Sequence, residues 1–174
     1  MVDIDGVVSL FGPGALGPPA VANGARAAHL HPDAPEGLEG AFHSIEGIPH
    51  FLSATAAAHL LALAGRYEPV WASGWEEKAD EYLPHLLGLP AGLPFVRFSE
   101  LSRSGRTTHA HWKLEAIGAY AGSRPMAWVD DAFNEACHEW ARAREAPTLL
   151  VATEPSRGLT AHEAAVLRRW AEAL

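Results

Sequence analysis

Apolar and polar positions follow two rhythms along this chain. Short apolar runs at 2–4 with 7–8, 68–72, 94–98, 126–129 and 148–151 are rich in Val, Ile, Leu, Phe and Trp and have the length of buried strands. Longer stretches between them read as helices. Residues 53–65, Ser-Ala-Thr-Ala-Ala-Ala-His-Leu-Leu-Ala-Leu-Ala-Gly, predict a helix that Gly65 stops. A second opens at Ser73-Gly-Trp-Glu76, runs to about Leu87 and closes at Gly88. A third begins near His109, carries Trp112, Lys113, Leu114, Ile117 and Tyr120, and stops at Gly122. A fourth covers 134–143, and a last one starts with Thr160 and Glu163, spaced as a capping box. Strands that alternate with helices predict an α/β domain of three layers around a mostly parallel sheet.

Three stretches break the rhythm. The first apolar run is interrupted by Gly6, and only Met1 and Val2 precede Asp3, so either that strand is short or its start lies upstream. Residues 12–24 are loop by composition; they hold a literal G-x-G-x-x-G at Gly12, Gly14 and Gly17, but Pro18 and Pro19 prevent the helix that a dinucleotide site requires. Residues 26–49 are the least regular. They suggest a hairpin or flap, placing residues 12–50 as an insertion after the first strand that overhangs Asp3 and Asp5.

Composition narrows the class. The 174 residues suit one domain spanning 1–174, and 48% hydrophobic with 20% charged residues is the balance of a globular protein. A formal net charge of −8 argues against nucleic-acid backbone binding by the whole surface, though not against a local basic patch. With a single cysteine, Cys137, no internal disulfide is possible, and no apolar run approaches the ~20 residues of a membrane span. The amino-terminal stretch lacks the pattern of a signal peptide, so the expected compartment is the cytoplasm.

The candidate chemistry sits at the ends of the apolar runs. Asp3 and Asp5 are two apart and point the same way in a strand, where few structural needs call for paired like charges. Ser73 ends a second run, Lys113 falls in the first turns of the third helix, and Asp130-Asp131 end another run. Ligands of parallel sheets sit at the carboxyl ends of strands, so these groups are placed to converge. Each has a plain alternative. Ser73 with Glu76 fits a capping box, Lys113 a solvated helix lysine, and Asp130-Asp131 the cap of the next helix. His29 with His31 and His109 with His111 have metal-like spacing but fit surface histidines better, and Trp71, Trp112 and Trp128 fit core packing.

In this order the residues resemble the four motifs of the haloacid dehalogenase superfamily. The motifs stand here as Val2-Asp3-Ile4-Asp5-Gly6, Val70-Trp71-Ala72-Ser73-Gly74, His111-Trp112-Lys113-Leu114 and Ala127-Trp128-Val129-Asp130-Asp131. Trp-Ala-Ser-Gly-Trp-Glu at 71–76, with Pro-Ser-Arg-Gly-Leu-Thr at 155–160, further resembles minimal-cap bacterial members, some of which are fused to nucleic-acid end-repair modules. The resemblance implies a Rossmann-like sheet of order 3-2-1-4-5 without a large cap, and a phosphatase that works through an aspartyl-phosphate.

By the same resemblance Asp3 is the nucleophile and Asp5 the general acid and base. Ser73 and the Gly74 amide hold phosphoryl oxygens at a helix N-terminus, and Lys113 neutralises developing charge. Asp3, Asp5 through its backbone carbonyl, Asp130 and Asp131 form the metal set. Carboxylates so close together repel, and Mg²⁺ is the cofactor expected to hold them ionised. Members that cleave carbon–halogen bonds lack an acid two residues after the nucleophile, so Asp5 indicates phosphoryl transfer. The expected substrate is a phosphorylated small molecule or a nucleic-acid end, with Arg97, Arg103 and Arg106, beside Ser102, Ser104, Thr107 and Thr108, as a possible substrate loop. A catalytically idle binding module is the contrasting expectation.

Overall fold

A computed structural model describes residues 1–11, 37–100 and 109–174. The glycine fingerprint, His29, His31, Arg103 and Arg106 lie outside the described residues. Within them the chain is mixed α/β, with five helices of eight or more residues and two small sheets. Strands β1 (Ser9–Leu10), β2 (Gly40–Ile45) and β3 (Ile48–Ser53) form an antiparallel sheet of order β1-β3-β2. The hairpin turn is Glu46-Gly47, both at positive φ, as a two-residue turn between twisted strands requires. Strands β4 (Met126–Asp130) and β5 (Thr148–Ala152) pair in parallel. The helices are α1 (Ala54–Leu63), α2 (Lys78–Leu87), α3 (Leu114–Ala121), α4 (Glu135–Ala143) and α5 (Ala161–Glu172).

A regular five-stranded parallel sheet is therefore not what the residues form. Val2, Trp71 and Phe95 stand as isolated parallel bridges: Val2 pairs with Trp71 and with Val129, and Trp71 pairs with Phe95. Pro69 and Pro94 bring no amide hydrogen to these pairings. After Val2 the chain leaves the sheet line at once, because the amides of Val7, Val8 and Ser9 all turn back to the carbonyl of Ile4. The expected strand through Val7-Val8 is thus a tight turn, with Gly6 at φ 72°.

The insertion also differs from a free flap. Its described part is the β2–β3 hairpin, which extends to Ser53, pairs with β1 and runs straight into α1. Ser53 caps that helix by accepting from the Ala56 amide at 3.1 Å.

Apolar side chains alternate between two cores, as strand geometry demands. Val2, Trp71, Ala127 and Val129 join Ala57, Leu83 and Leu167 from α1, α2 and α5, while Val70, Ala72, Met126 and Trp128 join Ile117 and Cys137 from α3 and α4. Helices thus cover both sides of the bridged line. The capping box at Thr160 and Glu163 is present, and the fourth helix is capped by Asn134, not by Asp130 or Asp131.

Candidate functional site

Asp3 follows the Val2 bridge, and its amide donates to the Val129 carbonyl at 3.0 Å, which sets it beside the end of β4. Its Oδ1 accepts the Ile4 amide at 2.8 Å. Asp130, the last residue of β4, is fully buried; its Oδ1 accepts the Ala132 amide at 3.1 Å and its Oδ2 the Trp128 indole at 3.2 Å. Lys113 joins them, with Nζ 2.7 Å from Asp3 Oδ2 and 2.7 Å from Asp130 Oδ2. It ends the 3-10 turn Ala110–Lys113 that leads into α3, a turn anchored by the Ala110 amide on the Ala132 carbonyl and by Asn134 against His111.

One ammonium serves several carboxylates here. Burial acts to lower the pKa of Lys113, but the charges of Asp3 and Asp130 outweigh it and hold the group above its ordinary value. Burial, then the Asp3 charge, pushes Asp130 up to about 6 against the pull of Lys113. Asp131 rises to about 7 through burial and the charges of Asp130 and Asp3. Lys113 bonds to Asp3 and Asp130 and not to Asp131.

Asp3, Asp130 and Asp131 each offer a carboxylate oxygen, all within 4.8 Å of one another. An all-oxygen, over-acidic donor set fits a hard divalent cation. Asp131 reaches this group because Gly6 has no side chain: a Cβ there would collide with the Asp131 carboxylate, and φ 72° disfavours one in any case. Gly6→Ala is therefore expected to cost ~2 kcal/mol or more in urea unfolding and to weaken cation binding; a variant with unchanged midpoint and cation affinity would show that Asp131 is not held by this contact.

Asp3, Asp5, Ser73, Gly74, Lys113 and Asp130 line an open cleft of about 180 Å³, together with His109 and Trp112. The Asp5 carboxylate stands apart from the three-acid group; its Oδ2 accepts the Trp75 indole N–H at 3.0 Å. Ser73 is 1% exposed, and its Oγ has no hydrogen-bond partner among the described residues. A buried hydroxyl without a partner is costly unless a ligand satisfies it.

Two expectations about this segment are corrected. Ser73 does not open a helix, because α2 starts only at Lys78, so Ser73 and Gly74 form a turn and not a helix N-terminus. Nor does Glu76 complete a capping box: it adopts φ 47° and its buried carboxylate accepts the Phe98 amide at 2.9 Å. Gly88 does close α2, at φ 66°.

Arg97 is not among the residues lining the cleft. It lies over the Phe95 ring at 4.8 Å and 3.8 Å from Glu77, strongly exposed. Neither His109 nor His111 belongs to a metal-ligating group among the described residues. Sequence reasoning missed Trp75, whose indole bonds to Asp5, while Trp128 packs in the core as expected and its indole also bonds to Asp130. The available signal was a tryptophan in the polar turn after Ser73, since a buried indole N–H needs an acceptor. Among the described residues no helix is long and apolar enough to cross a membrane. No model of a protein family, no characterised protein and no solved structure matches this chain.

Proposed function

We propose that the protein is a Mg²⁺-dependent phosphomonoester hydrolase of the haloacid dehalogenase type, cytoplasmic, with Asp3 as nucleophile. The observation that carries this reading is the Asp3–Lys113–Asp130 bridge at the foot of a cleft whose wall holds the unpartnered Ser73 hydroxyl. The line of bridges Phe95, Trp71, Val2, continued by β4 and β5, supports it as a reduced form of the 3-2-1-4-5 arrangement.

In the first step a carboxylate oxygen of Asp3 bonds to phosphorus while the ester P–O bond breaks, and the leaving oxygen takes a proton from Asp5. In the second, Asp5 takes a proton from water as the water oxygen bonds to phosphorus, releasing phosphate and restoring Asp3. Lys113 orients the Asp3 carboxylate and offsets charge on the phosphoryl oxygens; the Ser73 hydroxyl donates to one of them. Asp3, Asp130 and Asp131 would hold Mg²⁺, which when bound supplies charge neutralisation between carboxylates and phosphate. Among the described residues the cleft stays open, which suits a phosphate carried on a larger molecule, small metabolite or nucleic-acid end alike.

The test is hydrolysis of p-nitrophenyl phosphate with Mg²⁺ by wild type and Asp3→Asn. Wild-type turnover should fall on the order of 10³-fold or more in the variant. Turnover that survives the substitution overturns the aspartyl-phosphate mechanism, and absence of wild-type turnover across a panel of phosphomonoesters favours an idle binding module.

A further inference from the structure

Asp5 is held by a side chain that neither the motif pattern nor the cleft chemistry assigns. The indole of Trp75 donates to Asp5 Oδ2 at 3.0 Å across 70 positions of sequence. That indole is itself packed against a ring whose own position, like that of the adjoining turn, is set by hydrogen bonds. The His50 ring on β3 meets it edge to face, with centroids 5.1 Å apart and planes at 78°. His50 is in turn paired through Nδ1 with the buried Ser9 hydroxyl of β1 at 2.9 Å. The next residue, Glu76, takes left-handed backbone and is anchored to Phe98 by its buried carboxylate. Left-handed backbone at a glutamate is unfavourable by ~1–2 kcal/mol, so the turn holds this shape only because tertiary contacts impose it.

An indole N–H only donates. It therefore holds Asp5 Oδ2 as an acceptor and restrains the orientation of the carboxyl group. We propose that Trp75 is a positioning residue for the general acid, with the β2–β3 hairpin, through His50, as its support. This rests on the phosphatase reading above: Asp5 gives its proton to the ester oxygen as the P–O bond breaks and regains one from water in the second step.

The consequence is specific to the leaving group. A p-nitrophenolate departs without a proton, whereas an alkoxide does not. The value of kcat/KM reports formation of the aspartyl-phosphate, the step in which that proton moves. Trp75→Phe, checked as folded by thermal unfolding, should therefore lower kcat/KM for β-glycerophosphate about tenfold while lowering it no more than about twofold for p-nitrophenyl phosphate. Asp5→Asn should show the same asymmetry, larger.

If Trp75→Phe does not fold, benzothienylalanine at position 75 keeps the ring shape without the N–H, and the same two ratios decide. Equal losses on both esters, or none, overturn the inference while leaving the phosphatase reading intact. A wild-type protein that hydrolyses neither ester overturns both.

Discussion

Lys113→Met is expected to lower the unfolding free energy by about 3–5 kcal/mol at pH 7.5 in the presence of a chelator, because it leaves Asp3 and Asp130 buried without their shared cation. The side chain is 5% exposed, so water cannot take over the role of the ammonium. Losing one partner is far more costly than losing both. Lys113→Met combined with Asp130→Asn removes one of the two unpaired carboxylates and should therefore recover part of the deficit, and so should acid pH, where Asp130 protonates readily given its raised pKa of about 6. Urea unfolding of the three proteins at two pH values reads both effects. A loss below about 1 kcal/mol that does not change with pH would contradict the charge balance described for this site. Buried ion pairs are poor sources of net stability. Net stability alone therefore does not account for an ammonium held between two carboxylates.

Divalent-cation binding should stabilise the protein at pH 8 and barely at all at pH 5. In the metal-free protein Asp131 titrates at about 7 and Asp130 at about 6, both above the ordinary 3.8 of the unfolded chain. The folded state thus holds protons between pH ~4 and ~7 that the unfolded state has released. With these raised pKa values, the two groups' contribution is fully present below the unfolded value and is lost as pH rises through the folded ones. A cation that replaces those protons must compete with them, so its affinity climbs with pH through the same window. At about 100 times its Kd, Mg²⁺ should add ~2.7 kcal/mol, or roughly 5–10 °C in Tm for a chain of this size. Thermal unfolding with and without Mg²⁺ at the two pH values checks it, and Asp131→Asn should lose most of the pH 8 increment. A shift of equal size at both pH values would place the cation elsewhere.

The convergence of Asp3, Lys113 and Asp130 was legible because its signals are local: an apolar run that ends in an acid, and a lysine where a helix starts. The regular sheet was not. Strand periodicity at 68–72 and 94–98 marks residues that face two cores, but Pro69 and Pro94 remove amide donors, and among the described parallel pairings only Met126–Asp130 and Thr148–Ala152 run for five residues. The start of α2 was misplaced for a similar reason. The spacing of Ser73 and Glu76 is a good local capping signal, yet Glu76 bonds to Phe98, 22 positions away, and the helix starts after it. Trp75 on Asp5 and Ser9 on His50 are contacts across 70 and 41 positions, beyond any periodicity.

The turn that carries both Asp3 and Asp5 has a further consequence, for synthesis on the ribosome. Its inner bonds are local, but the bonds that dock it on the rest of the fold, to Val70, Val129, Leu159 and from the Thr153 hydroxyl to the Gly6 carbonyl at 2.8 Å, all involve residues translated much later. At roughly 5–20 residues per second, that wait is on the order of ten seconds. Throughout it Ile4, Val7 and Val8, all fully buried in the finished fold, are exposed on the nascent chain. The turn that carries Asp3 and Asp5 thereby keeps apolar side chains in need of chaperone protection for most of the time the protein is being made.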